Sequence, residues 1–148
     1  MILISHRGNI NGKFELYENE PNYIKKAYDN GYDVEIDVWY INNIFYLGHD
    51  KPLYKIDLEF LKNNHFWIHC KNIECLYELS KYKDIHYFWH QNDDYTLTSW
   101  NILWTYPGKK LTNRSVAVLP ENVDYADYEL KNCYGICSDN IKNYKLWI

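Results

Sequence analysis

Residues 34–38 read Val-Glu-Ile-Asp-Val, an apolar run broken at alternate positions by two carboxylates. Successive side chains of a strand point to opposite faces. As a strand, this run sets Val34, Ile36 and Val38 on one face, against helices, and Glu35 and Asp37 together on the other. In a parallel α/β fold closed on itself, that second face is normally filled by branched apolar side chains. One unpaired buried carboxylate is costly and two neighbouring ones are costlier. A divalent cation between them removes the cost. The alternative is neutralisation by Arg7 and Lys71.

A chain of 148 residues points to one domain spanning residues 1–148, and 47% apolar residues supply its core. The formal net charge is -4 and Lys and Arg are scattered, so there is no electrostatic footprint for nucleic acid. No apolar stretch approaches the ~20 residues that cross a bilayer. The segment before His6 is too short for a signal peptide, which predicts a cytoplasmic protein. Cys70, Cys75, Cys133 and Cys137 then read as buried, reduced thiols rather than as a disulfide framework.

Apolar runs alternate with helical patterns. Strands are expected over residues 2–6, 33–39, 43–47, 65–71, 85–91, 101–106, 115–119 and 134–138. Helices are expected over 20–30, where Pro21 and Gly31 mark the ends, over 56–62 and 72–81, and briefly near 124–131. The alternation predicts an α/β fold with mainly parallel strands. At this length that means a reduced or incomplete TIM-type (β/α) barrel, with an open doubly wound sheet as the alternative. No glycine-rich phosphate loop follows the first strand.

The residue types at the expected strand ends form a kit for metal-assisted cleavage of a phosphate ester. His6 and His49 pass protons, Glu35 and Asp37 hold a cation, and Arg7 balances an anion. Asp50 is placed to orient an imidazole or to cap the loop that Pro52 stiffens. On the strand ending at Lys71, His69 shares a face with Lys71; His69 is a candidate third metal ligand and Lys71 an anion contact. His90, on the next strand, is a further candidate for the same pocket.

These residues resemble the glycerophosphodiester phosphodiesterase family, within the phosphatidylinositol-phospholipase-C-like barrels. The resemblance runs through His6-Arg7-Gly8, Glu18-Asn19, Glu35-Ile36-Asp37-Val38 and Gly48-His49-Asp50, and is specific over residues 2–51. The family's third strand carries Glu-Ile-Lys; the corresponding triplet here is His69-Cys70-Lys71, and the segment before it is much shortened. Gly135 to Asp139 is similar to the family's last strand. The resemblance implies His6 and His49 as acid–base residues, Arg7 as a phosphate contact, and Glu35 and Asp37 as ligands of magnesium or calcium. Histidine in place of the third carboxylate admits manganese or zinc.

The expected activity is metal-dependent cleavage of a glycerophosphodiester-like substrate, a small molecule or a headgroup, by water or by a neighbouring substrate hydroxyl. The alternatives are an inactive phosphoester- or sugar-binding module on the same scaffold, and a metal-free interaction protein using its Tyr- and Trp-rich segments.

Overall fold

The computed structural model of the chain describes residues 1–147. It contains strands β1 (Ile2–His6), β2 (Asp33–Ile41), β3 (Ile44–Leu47), β4 (Tyr54–Ile56), β5 (Phe66–Cys70), β6 (Tyr87–Phe88), β7 (Tyr95–Leu97), β8 (Leu103–Thr105), β9 (Ser115–Val118) and β10 (Gly135–Ser138). Four short α-helices accompany them: α1 (Pro21–Asp29), α2 (Leu58–Leu61), α3 (Ile73–Leu79) and α4 (Asp127–Lys131). All ten strands join one sheet, in the order β4-β3-β2-β1-β10-β9-β8-β7, with β5 beside β2 and β6 beside β5.

The expected reduced or incomplete TIM-type barrel is not what forms. The sheet is mixed: β2–β3, β3–β4 and β7–β8 pair antiparallel, and the helices are few, the longest having 9 residues. The connections explain the difference. After β2 the chain returns as a β-hairpin through Asn42 and Asn43, both at positive φ, where a barrel would start a crossover helix. Residues 89–94 and 106–114 form no helix, so the β8 side of the sheet has no helical cover of its own. The helix expected over 56–62 divides. Tyr54–Ile56 pairs with β3, and only Leu58–Leu61 turns helical, with the Asp57 side chain accepting from the Phe60 N–H as its cap. The strand expected over 85–91 shrinks to Tyr87–Phe88.

Strand alternation creates two unlike faces. On one, Val34, Ile36, Val38 and Ile68 pack against Ile24 and Ala27 of α1 and Cys75 and Leu79 of α3. On the other, Ile4, Trp67, Phe88, Trp104, Val116 and Cys137 form a second apolar cluster. The parallel register pairs His6 with Glu35, Glu35 with Trp67, Asp37 with His69, and His69 with Phe88. His6 and His69 therefore stand one pleat beyond Ile4 and Trp67, and an aromatic floor underlies a polar layer.

Among the described residues, no helix is long and apolar enough to cross a membrane. All four cysteines are free and buried. Cys133 and Cys137 do not share a helix; the Cys133 Sγ lies 2.9 Å from the Leu130 carbonyl and 3.1 Å from the Gly135 carbonyl, which share its one S–H.

Candidate active site

The polar layer opens at the C-terminal ends of the parallel strands, into a cleft of about 660 Å³ lined by His6, Arg7, Glu35, His49, His69 and Lys71 among others. Asp37 is at its base. Asn19 clamps that residue twice, its amide donating to Asp37 Oδ2 at 2.9 Å while its carbonyl oxygen accepts from the Asp37 N–H at 2.9 Å. Asn19 sits at φ 62 and Arg7 at φ 54, left-handed conformations that an L-residue with a side chain seldom adopts. The Arg7 turn folds its guanidinium back over the strand ends. Nη1 donates to Glu18 at 3.1 Å, and Nε lies 3.0 Å from Asp37 Oδ2 without the alignment of a hydrogen bond. Gly8, at φ 92, completes this turn with the Tyr23 ring against its Cα; a Cβ there would stand 2.7 Å from Tyr23 Cδ1.

Glu35, Asp37 and His69 each turn one ligand-type atom toward a common point, all within 4.8 Å of one another. His69 Nδ1 is 3.1 Å from Asp37 Oδ1 and 3.8 Å from Glu35 Oε1. The other ring nitrogen, Nε2, donates to the backbone carbonyl of His90 at 2.9 Å. That bond puts the proton of a neutral ring on Nε2 and leaves a lone pair on Nδ1, the orientation seen when an outer partner fixes a metal-bound imidazole. Three acceptors then face each other; a cation among them, or a proton on His69 or Glu35, offsets their repulsion.

Two of the buried carboxylate oxygens here, Glu35 Oε2 and Asp37 Oδ1, make no hydrogen bond. Neutralisation by Arg7 and Lys71 holds for Asp37, which has Arg7 on one oxygen and Lys71 Nζ at 3.6 Å from the other. Glu35 feels the Arg7 charge but makes no ion pair with Arg7 or Lys71; the groups nearest its oxygens are two imidazoles at 3.8 Å. Burial alone would raise the Asp37 carboxyl; a His69 ring carrying a proton on Nδ1, with Arg7 and Lys71, outweighs it and holds the group well below the usual carboxylate range. Burial, reinforced by the Asp37 charge, pushes Glu35 up. Orphaned oxygens and an outward lone pair fit a bound divalent cation.

The two catalytic-candidate histidines differ in environment. His6 Nδ1 is 2.7 Å from Asp139 Oδ1, and its Nε2 is 3.8 Å from Glu35 Oε2. Burial works to lower the His6 pKa, but the hydrogen bond to Asp139 and the Glu35 charge prevail and raise it. His49, on the loop after β3, has Nδ1 2.7 Å from Asp50. Its partial burial lowers its pKa and the neighbouring Asp50 does not fully offset this. His90 lines the same cleft, with its ring Nδ1 2.7 Å from Asp93.

No family model, curated protein or solved structure matches this chain.

The expected catalytic, substrate-binding and metal residues (His6, Arg7, Glu35, Asp37, His49, His69, Lys71 and His90) lie in or under this one cleft, whereas Asp50 lines an adjoining one. Several supports were not foreseen. Asn9 bridges Glu18 and Asp139 through its amide, at 2.9 and 2.8 Å. Glu121 accepts from the Asp139 N–H and from the Ser138 hydroxyl, fixing the loop that carries Asp139. The Glu18-Asn19 pair marked two of these positions without indicating a role, and polar residues in loops offer no periodic signal.

Proposed function

We propose that this chain is a metal-dependent phosphodiesterase acting on a glycerophosphodiester-like substrate, and that its motifs are those of the glycerophosphodiester phosphodiesterase family. The observation that carries the reading is the convergence of Glu35, Asp37 and the His69 Nδ1 lone pair beneath a cleft that also holds two differently tuned histidines. Glu35, Asp37 and His69 would hold a divalent cation, magnesium or calcium, with manganese or zinc also compatible with the nitrogen donor. Such a cation supplies charge neutralisation at a phosphoryl oxygen and orients the ester.

The protein's own groups account for the rest. Arg7 and Lys71 put two positive side chains on the cleft wall, where they offset the charge of a bound phosphodiester. Environments that push two pKa values apart assign acid and base. His6, held by Asp139 and raised, keeps a proton on Nε2 and gives it to the departing alkoxide. His49, lowered, is neutral; with Nδ1 turned to Asp50, its Nε2 accepts the proton of the attacking hydroxyl. Free thiols fit a reducing, intracellular setting.

The test is turnover of phosphodiesters with and without added divalent cations. Cation-dependent release of a monoester or cyclic phosphate is expected, with His6→Ala and His49→Ala each reducing it about 10²–10⁴-fold. No turnover of any phosphodiester under any cation, by a protein shown to be folded, would overturn the reading.

A further inference from the structure

Arg7 and His49 each line two clefts of unlike chemistry. The smaller, about 300 Å³, is walled by charged groups that include Lys13, Glu15, Asp50 and Lys51. The larger, about 660 Å³, runs from the histidines and Lys71 to an apolar end formed by Trp104, Pro107, Leu119 and Val123. Residues suited to hold the phosphate thus stand where the two clefts meet. A phosphodiester has two alcohols, and at this junction they diverge into different surroundings.

Leu119 supplies an independent observation. It follows β9 with φ 44 and ψ 51, a left-handed backbone that leucine rarely takes. Its N–H donates to the Cys137 carbonyl at 2.8 Å, which ties the turn to β10. Asn or Gly would meet the same backbone requirement with less strain. The leucine brings instead an apolar side chain, packed beside the Trp104 and Val118 cluster and lining the cleft. Strain retained at a cleft wall points to a contact that the cleft uses.

We propose that the substrate is an amphiphilic phosphodiester. Its polar alcohol lies in the cleft of Lys13 and Lys51, and its apolar alkyl alcohol lies against Leu119, Val123 and Trp104. This rests on the phosphodiesterase reading for the junction itself. The polar cleft carries both signs of charge, which suits a hydroxylated or zwitterionic group. At the apolar end of the larger cleft Leu119, Val123, Trp104 and Pro107 outnumber the polar tips of Tyr106 and Asn122, and the wall gains from desolvating a hydrocarbon group.

Uncleavable phosphinates test this by binding, independently of turnover. Each carries one dihydroxypropyl arm; the second arm is methyl in one and butyl in the other. Calorimetry in magnesium buffer is expected to show the butyl compound binding about 10- to 50-fold tighter. Leu119→Asn should remove most of that preference while the melting temperature holds or rises, because Asn tolerates the left-handed backbone. Val123→Thr, nearly isosteric, is the second variant and should shrink the preference as well. Equal binding of the two phosphinates, a preference unchanged in both variants, or binding of neither would overturn the proposal. Turnover of the matching butyl diester is read separately. Wall-dependent binding without cleavage removes the hydrolase reading and supports the two-cleft assignment; cleavage with no butyl preference does the reverse.

Discussion

The carboxylate of Asp139 lies 2.7 Å from Nδ1 of His6, across 133 positions of sequence. The contact joins the end of β10 to the end of β1, two strands paired in parallel along their length. Asn9 and Glu121 hold Asp139 from either side, so the imidazole is oriented by a residue that is itself fixed.

Asp139→Asn should keep the shape of this contact and lose its charge. Turnover is expected to fall about 10²-fold, within the range for a general acid–base group. With His6 as the proposed acid, the alkaline limb of the pH–rate profile should move to lower pH once Asp139 no longer raises its pKa. The stability effect has a defined window. The raised His6 contributes below its unfolded value near 6.5 and loses the contribution as pH climbs through its folded value. Burial works against the Asp139 carboxylate, but His6 outweighs it and lowers that group, which contributes above its ordinary titration and fails as pH falls through its folded value. The variant should lose stability chiefly between these limits, as urea unfolding at several pH values will show.

His69 divides the metal site from a purely ionic cluster. Wild-type protein at a cation concentration about 100-fold above Kd should gain about 2.7 kcal/mol, a rise of several degrees in Tm. His69→Ala should weaken the cation Kd markedly while shifting the cation-free Tm little, and His69→Glu should favour magnesium and calcium over zinc. An unchanged Kd in His69→Ala would leave Glu35 and Asp37 as the only protein ligands.

Gly48 sets the position of His49. It has φ 146, and a Cβ there would lie 2.0 Å from the Lys51 carbonyl oxygen; its own carbonyl accepts from the Trp39 indole at 2.6 Å. Gly48→Ala must shift residues 48–53. Expected results are about 1–3 kcal/mol lost in denaturant unfolding and a fall in turnover close to that of His49→Ala.

His86 is a stability sensor away from the chemistry. Its ring stacks on Trp100 at 4.5 Å and lies 4.2 Å from Trp67, with Nε2 and the Thr98 hydroxyl 2.8 Å apart. Burial lowers its pKa to about 4. The folded state therefore disfavours the charged ring, and stability should be complete above the unfolded value near 6.5 and fall as pH drops toward 4, by about 3 kcal/mol from this group. His86→Gln should flatten unfolding free energy over that interval relative to wild type.

Much of the central sheet was legible because its strands are buried on both faces. Ile2–His6, Asp33–Ile41 and Phe66–Cys70 are marked by apolar runs, and Pro21 and Gly31 bracket α1. Tyr95–Leu97 and Tyr54–Ile56 were not, and Ile56 fell inside the helix expected over 56–62; each strand is half-buried or exposed and lacks a buried face to announce it. The barrel expectation failed at connections, where the strand alternation carries no information about how the chain returns. Glu35 and Asp37 were readable as a same-face pair. The supports from Asn9, Glu121 and Asp139 were not, since each is a single polar loop residue whose partner is fixed only by tertiary pairing.

β1 lies between β2 and β10, so its two neighbours arrive at very different times during synthesis. A nascent chain that has reached Lys71 already owns Glu35, Asp37 and His69, yet one edge of β1 stays unpaired until Gly135–Ser138 emerges. Exposed strand edges invite wrong partners. The two parts of the cleft are thus separated in folding order: the Glu35, Asp37 and His69 cluster can assemble once β2 and β5 pair, and His6 acquires its anchor only when the last strand docks.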